Sequence, residues 1–246
     1  MLIIGMGEVG KAHYNVLSKV YDVCHKDKDK KIYCNGKSST RKQFDTLLIA
    51  TQCNPADMQP FYEMVCGYAK QFRPKIIDVL TTTPCGTVEC IAEMLPGIKL
   101  SKSSVRGMHP NLDKFLLDIP KHIGGAANVT LRDLYTKAGI TCVLHNKSRT
   151  VELAHVLNNF LYGVNVMATD EAAKYCREFG VDWMEILEYR KTNNSGFVKA
   201  GFPSKVSPIL YPSSNHIGGH CVTYAPTTIP KEMRGQLATM LANYNK

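Results

Sequence analysis

The chain has 246 residues, 44% of them hydrophobic, enough for one large or two small domains with an ordinary core, and intrinsic disorder is excluded as a starting point. It opens on Met1-Leu-Ile-Ile-Gly5 without a basic leader, and no apolar run nears the ~20 residues that span a bilayer, which predicts a cytoplasmic protein with no membrane partner. The formal charge is +9, but residues 26–42 alone hold seven Lys or Arg against two Asp, and this polar segment reads as a solvated connection between two strands. Basic residues spread along a helix or interleaved with aromatics are not seen, so nucleic acid is not an expected partner. Nine scattered cysteines with no C-x-x-C pair are expected to be, for the most part, small buried thiols in a reducing compartment.

Taken in chain order, the first half alternates β-rich runs with helical stretches, the pattern of a parallel sheet with crossover helices. Strands are predicted at residues 2–5, 21–25, 46–51, 75–80, 103–107 and 141–145, and helices at 10–19, 56–72, 88–95 and 132–139. Strand cores such as Leu-Ile-Ile and Ile-Ile-Asp-Val are continuous enough to be covered on both faces. At residues 148–150 the character changes. A long helix is predicted over 151–179, with Leu153, Leu157, Phe160 or Leu161, Val164 and Met167 at spacings of three and four, Thr150 as N-cap and Gly180 as stop. A helix at 182–191 follows, then a Gly, Pro, Ser and Asn-rich loop over 193–226 that reads as site-forming, and a last helix over 230–244. The expected fold class is therefore α/β: a Rossmann doubly wound parallel sheet over 1–147, then an all-helical domain over 148–246. One small domain does not cover every face of the long helix, which predicts a homodimer through residues 151–179.

Gly5-Met6-Gly7-Glu8-Val9-Gly10 is a G-x-G-x-x-G directly after a strand and opening a helix, the context in which this pattern signals dinucleotide binding. Gly5 permits the tight turn, Gly7 lets the backbone approach a pyrophosphate, and Gly10 lets helix and strand pack closely. Asp27, after the second strand, stands where an acid accepts the ribose hydroxyls, which favours NAD over NADP, although Lys26 and Lys28 flank it and can pair with a 2′-phosphate. Thr51 and Thr82 close the third and fourth strands, where an open α/β sheet places its ligand crevice.

Three places can carry chemistry. On the long helix Glu152, His155, Asn159 and Tyr162 share a face, either a solvated polar stripe or the border of the crevice, with His155 as a candidate acid or base and Asn159 as a donor to a substrate oxygen. In the loop, Asn215-His216-Ile-Gly-Gly-His220-Cys221 sets a thiol beside histidines, either an inert packed thiol or a nucleophile with a lowered pKa; four metal ligands are not completed, so no metal is expected. His109, after the fifth predicted strand, is either satisfied by backbone or faces the nicotinamide.

These residues carry a resemblance. Thr81-Thr-Thr-Pro-Cys-Gly86-Thr-Val-Glu looks like the S-T-V-P-x-G-T-T-E segment of the UDP-glucose/GDP-mannose dehydrogenase family, within the 6-phosphogluconate dehydrogenase-like superfamily. Val151-Glu-Leu-Ala-His-Val-Leu-Asn-Asn159 looks like its A-E-L-x-K-x-x-x-N, and Ile217-Gly-Gly-His-Cys221 matches its nucleophile loop. The resemblance implies an NAD-dependent oxidoreductase acting on a CH–OH donor, with a nucleotide sugar as substrate class. Cys221 would form a thiohemiacetal with an aldehyde intermediate, and Asn159 would hold the oxyanion or its water. The chain departs from the family where the helix lysine is His155, where the aspartate four residues after the cysteine is Ala225, and where the P-E-F-x-R-E-G segment is replaced around Met108-His109-Pro110. It also ends before the family's nucleotide-sugar-binding domain and reads as a shortened form. The same region is similar to prephenate dehydrogenases, whose H-P motif implies His109 as base, assisted by Thr82, on a small hydroxy acid. A non-catalytic NAD-binding protein is the third reading, motivated by the replaced lysine and aspartate.

Overall fold

The computed structural model describes residues 1–28, 31–108, 110–213, 216–217 and 220–245. The chain falls into two compact units, Met1–Val156 and Leu157–Lys246. The first is built on a nine-stranded sheet comprising β1 (Leu2–Ile4), β2 (Cys24–Lys26), β3 (Ile32–Cys34), β4 (Lys37–Ser39), β5 (Thr46–Ile49), β6 (Ile76–Val79), β7 (Lys99–Ser103), β8 (Lys121–Gly125) and β9 (Cys142–His145). Their order is β4-β3-β2-β1-β5-β6-β7-β8-β9. Strands β2, β1, β5, β6 and β7 run parallel, while β3, β4 and β8 turn against their neighbours.

Five helices complete this layer: α1 (Glu8–Leu17), α2 (Gln59–Phe72), α3 (Thr87–Met94), α4 (Leu112–Asp118) and α5 (Asn128–Lys137). Apolar residues from α2 and α3 bury one face of the sheet with Leu2, Ile4, Leu47, Ile49, Ile77 and Val79. Those of α1, α4 and α5 bury the other with Ile3, Leu48, Leu80 and Ile123. Because both faces are covered, the central strands are apolar at consecutive positions, the reason they are legible as short continuous runs.

The basic segment after β2 is a correction to the sequence reading. Instead of a solvated connection, residues 31–39 fold back as the β3–β4 hairpin and widen the sheet by two strands. Its turn is Asn35-Gly36, both at positive φ (50° and 75°), the conformation a two-residue hairpin turn demands and the pair of residues best suited to it. Cys24 and Cys34 face each other across β2–β3 and are joined by a disulfide. The cysteine expectation is corrected with it: among the described cysteines only Cys24 is fully buried, and Cys85, Cys90 and Cys221 are exposed.

Strand β7 occupies Lys99–Ser103, four residues before its expected place, and α4 and β8 were not anticipated. Lys99 and Lys102 made this strand read as polar. The compact first unit also runs past residue 147, because the first turns of α6 (Ser148–Phe179) bury Val151, Glu152 and Val156. A Cβ on Gly124 would meet the Lys147 carbonyl at 2.4 Å and Val151 at 2.9 Å, so this glycine lets the helix start sit against β8.

The second unit holds the remainder of α6 with α7 (Trp183–Lys199), α8 (His220–Tyr224) and α9 (Gln236–Asn243). Its small core is Val166, Met167, Ile217 and Leu241. Asp170 of α6 accepts from the Ser213 amide, the Ser213 hydroxyl and the Tyr244 hydroxyl, tying the loop and the last helix to the long one. Helix α7 extends eight residues beyond its predicted end, through Asn193-Asn194-Ser195-Gly196. The Asn194 side chain pairs in both directions with the Ser207 backbone, at 2.8 and 2.9 Å, and this tertiary contact outweighs weak helix propensity. No helix among the described residues is long and apolar enough to cross a membrane.

Candidate active site

The chain order places β1 between β2 and β5, so successive connections leave the sheet on opposite sides of β1, and a ligand crevice opens beyond the carboxyl ends of these strands. The glycine turn lies there. Gly5 has φ +93°, and a Cβ on it would lie 2.8 Å from the Ala50 carbonyl oxygen. A Cβ on Gly10 would lie 1.9 Å from the Gly5 carbonyl oxygen, which is why the helix can approach only with glycine here. Gly7 differs from both: nothing lies within 4 Å of where its Cβ would be, and it is the N-cap of α1 with no side chain capping the helix. The first amides of α1 therefore point past an open approach, the arrangement that receives a phosphate. Met6 and Val9 pack against the core on the α1 side, and Glu8 is exposed in the first turn.

Around this turn the sheet gathers the other expected cofactor residues. The Gly5 amide donates to the Lys26 carbonyl at 2.8 Å, which sets the exposed Asp27 beside the turn. Thr51 follows β5; its hydroxyl is buried and has no partner among the described residues, while its carbonyl accepts from the Thr81 hydroxyl at 2.5 Å. Thr82 follows β6, and its carbonyl accepts from Cys53 Sγ at 3.3 Å. An orphaned hydroxyl at a strand end, an open glycine and an exposed acid together fit a dinucleotide with a ribose diol.

Two buried charges support the β6–α3 turn from beneath. Glu152 of α6 is 1% exposed, and its carboxylate accepts from the Gly86 amide at 2.7 Å, the Val88 amide at 3.0 Å and the Thr83 hydroxyl at 3.3 Å. It thus caps α3 from another helix, and burial pushes its carboxyl above the usual range although these bonds oppose the shift. Lys102 of β7 is wholly buried and donates from Nζ to the carbonyls of Thr81 (2.6 Å), Val79 (3.2 Å) and Ser103 (3.5 Å). Burial lowers it to about 8, against the pull of Glu152 and Asp78. Sequence reasoning missed Lys102; a lysine flanked by serines in a short strand resembles surface. It placed Glu152 with the polar stripe, whereas the structure takes it out of the stripe and into the support of the turn.

His155 and Asn159 stand one turn apart on α6. The Nδ1 of His155 and the Nδ2 of Asn159 are buried and have no partner among the described residues. Burial, then the charges of Lys102, Lys121 and Arg106, push the His155 imidazole down to about 3. At that value the ring is neutral across the neutral range and hydrogen-bonds as a neutral imidazole. Tyr162, further along, lines a cavity of about 310 Å³ within the second unit, with Tyr211 and Ser213 among its walls.

Cys221 lies in the first turn of α8, exposed, and partial desolvation pushes its thiol up. Asn215, Gly218, Gly219 and His109 lie outside the described residues, as does the His220 side chain. Among the described residues no group of three or more His, Cys, Asp or Glu is arranged to hold a metal.

No protein-family model matches the chain, and no curated protein matches it in sequence. Among solved structures, UDP-D-ManNAc dehydrogenase from Pyrococcus horikoshii superposes with a TM-score of 0.81 at 19% identity, covering 100% of this chain and 68% of that one. UDP-N-acetyl-mannosamine dehydrogenase Cap5O from Staphylococcus aureus gives 0.72 at 18% identity, with 99% and 66% covered. The 3-hydroxyisobutyrate dehydrogenase of Mycobacterium tuberculosis gives 0.68 at 12% identity, with 99% and 91% covered. The chain thus spans about two thirds of the length of the two sugar dehydrogenases. Its fold, a Rossmann layer followed by a helical part on one long helix, is that of the nucleotide-sugar and 3-hydroxyacid dehydrogenases.

Proposed function

We propose that the chain is an NAD-dependent oxidoreductase of the nucleotide-sugar dehydrogenase type, removing hydride from a CH–OH carbon. The observation that carries this reading is the set formed by open Gly7, exposed Asp27 and the orphaned Thr51 hydroxyl around the β1 turn. Asp27 takes the ribose hydroxyls, which selects NAD over NADP, the α1 amides take the pyrophosphate, and Thr51 supplies a further hydrogen bond. The chemistry a nicotinamide dinucleotide supplies at this place is acceptance of the hydride. His155 and Asn159, with polar atoms left unpaired, hydrogen-bond the substrate oxygen, His155 as a neutral ring. Cys221 Sγ would then add to the carbonyl carbon of the resulting aldehyde with the thiol proton passing to its oxygen, that carbon would give its hydride to a second oxidised dinucleotide as the hydroxyl proton leaves, and water would hydrolyse the thioester to the acid and the free thiol.

A small hydroxy acid is the second reading, supported by coverage of 91% of a 3-hydroxyisobutyrate dehydrogenase against about two thirds of the sugar enzymes. Absorbance of NADH on a panel of UDP-sugars, GDP-mannose, prephenate and small hydroxy acids separates the two. Two NADH per nucleotide sugar, reduced at least a hundredfold in Cys221→Ser, is the expected result. One NADH per hydroxy acid, unaffected by Cys221→Ser, moves the assignment to the second reading, and NAD binding with no turnover makes the chain a non-catalytic NAD-binding protein.

The proposed assembly is a homodimer through α6. Leu153, Leu157 and Leu161 recur every four residues on this helix and are all exposed, at 43%, 39% and 58%. An apolar row of this spacing is what a second copy of the same helix covers.

A further inference from the structure

The β3–β4 hairpin does more than widen the sheet. Together with the chain that follows it and the end of α2, it encloses a groove of about 520 Å³ lined by Lys31, Ser38, Ser39, Thr40, Arg41 and Lys42, over an apolar wall of Ile32 and Phe72. Among the described residues the lining holds three cations, the Ser39 and Thr40 hydroxyls and no acidic residue; Ser39 pairs with Ile32 and shares its face, whereas Ser38 pairs with Tyr33 on the other. Arg41 is held in place: its Nε donates to the Gln43 carbonyl at 3.1 Å, its NH1 pairs with Asp22 at 2.9 Å, and its guanidinium lies 4.8 Å from the centre of the Phe44 ring. Ser39 Oγ accepts from the Arg41 amide at 3.2 Å, which leaves its proton to donate outward. Lys31 and Lys42 are exposed and make no hydrogen bond or ion pair among the described residues, so two full charges line the groove with no counterion among them.

We propose that this groove is a phosphate-monoester site. A dianionic phosphate matches Lys31 and Lys42 in charge, and its terminal oxygens accept from the Ser39 and Thr40 hydroxyls. The wall of Ile32 and Phe72 excludes water from one side, which strengthens the ionic contacts. A carboxylate ligand would offer one charge to two uncompensated lysines and is the poorer match. The position suggests where the phosphate comes from. Ile32 pairs with Lys26 across the β2–β3 ladder, so Lys31 lies one residue beyond the pair on one strand and Asp27 one residue beyond it on the other. The shared chemistry is a phosphate on a ribose or on a separate small metabolite.

The test is titration calorimetry of the full chain with inorganic phosphate, NAD and NADP, on wild type, the Lys31→Glu/Lys42→Glu variant and a charge-matched Lys19→Glu/Lys114→Glu control. All four lysines are exposed, and unchanged melting temperatures verify folding. Phosphate binds wild type and the control within about twofold of each other and binds the groove variant at least ~10-fold more weakly, a difference of ~1.4 kcal/mol. Displacement of phosphate by NADP but not by NAD identifies the ribose phosphate as the source, and phosphate binding alongside saturating NADP identifies a separate metabolite. No phosphate binding to wild type, or equal binding to the groove variant, overturns the proposal. The dinucleotide arm is independent: phosphate binding with neither NAD nor NADP bound leaves the groove standing and removes the dehydrogenase reading, and binding of NADP without NAD moves only the cofactor assignment.

Discussion

Lys102 and Glu152 bring opposite charges to places water does not reach, and both hold the turn after β6, Lys102 through the Thr81 carbonyl and Glu152 through the Gly86 and Val88 amides and the Thr83 hydroxyl. That turn carries Thr81, Thr82 and Thr83 past the end of β6, so its shape depends on both charges although neither is exposed to a ligand. His155 is pressed first by its burial and then by Lys102, Lys121 and Arg106. Its folded pKa, about 3, lies below the ordinary 6.5, so its contribution to stability is complete above about 6.5 and is lost as pH falls toward 3, because the unfolded chain takes up a proton that the folded one refuses. Between pH 7 and 5 wild type should lose about 1–2 kcal/mol more than His155→Asn, read from urea midpoints at constant slope. An equal loss in both proteins would contradict a buried neutral imidazole. At this scale the tight turn at Gly5 and the close approach at Gly10 are legible in the sequence, because both follow from local geometry. The sequence hides Lys102 and the role of Glu152, because their partners are backbone groups on other elements, and spacing along one helix carries no information about those.

The hairpin is the element that sequence reasoning lost, and the signal for it was present. Asn35-Gly36 between Ile32-Tyr-Cys34 and Lys37-Ser-Ser39 is a two-residue turn with short flanks, but the surrounding lysines gave the whole stretch the composition of a loop. The long helix and the central strands were legible because their periods, 3.6 residues or continuous burial, are repeated often enough to outweigh single polar positions. The Cys24–Cys34 disulfide closes a short loop that contains Asp27. Reduction should therefore lower stability by about 2–3 kcal/mol, the loop-closure entropy for such a span, and Cys24→Ser/Cys34→Ser should be insensitive to reductant. A melting temperature of wild type that does not move with reductant would contradict a formed disulfide.

At the scale of the molecule, the chain pairs a well-buried α/β layer with a helical unit whose core is small. Helix α7 buries only Leu187, and Phe179, Met184 and Tyr189 are at least half exposed. Such an unfinished helical surface is consistent with association, and the row on α6 is where the proposed dimer forms. Leu157→Glu/Leu161→Glu should convert a dimer to a monomer in light scattering with the α/β signal in circular dichroism retained; a monomeric wild type would contradict it. The fold class was legible from the alternation of strand and helix, and Val151, Glu152 and Val156 are buried within the first unit although the helix that carries them continues into the second.

The central claim is that the β1 turn receives the pyrophosphate of NAD. Titration of NAD into wild type and Gly7→Ala tests it most directly, since a methyl group at Gly7 meets nothing within 4 Å in the protein and leaves the fold intact. The account predicts binding to wild type, and at least ~10-fold weaker binding to Gly7→Ala at an unchanged melting temperature, because the methyl group occupies the approach of the phosphates. Equal affinity in the two proteins, or no binding to wild type, would contradict it.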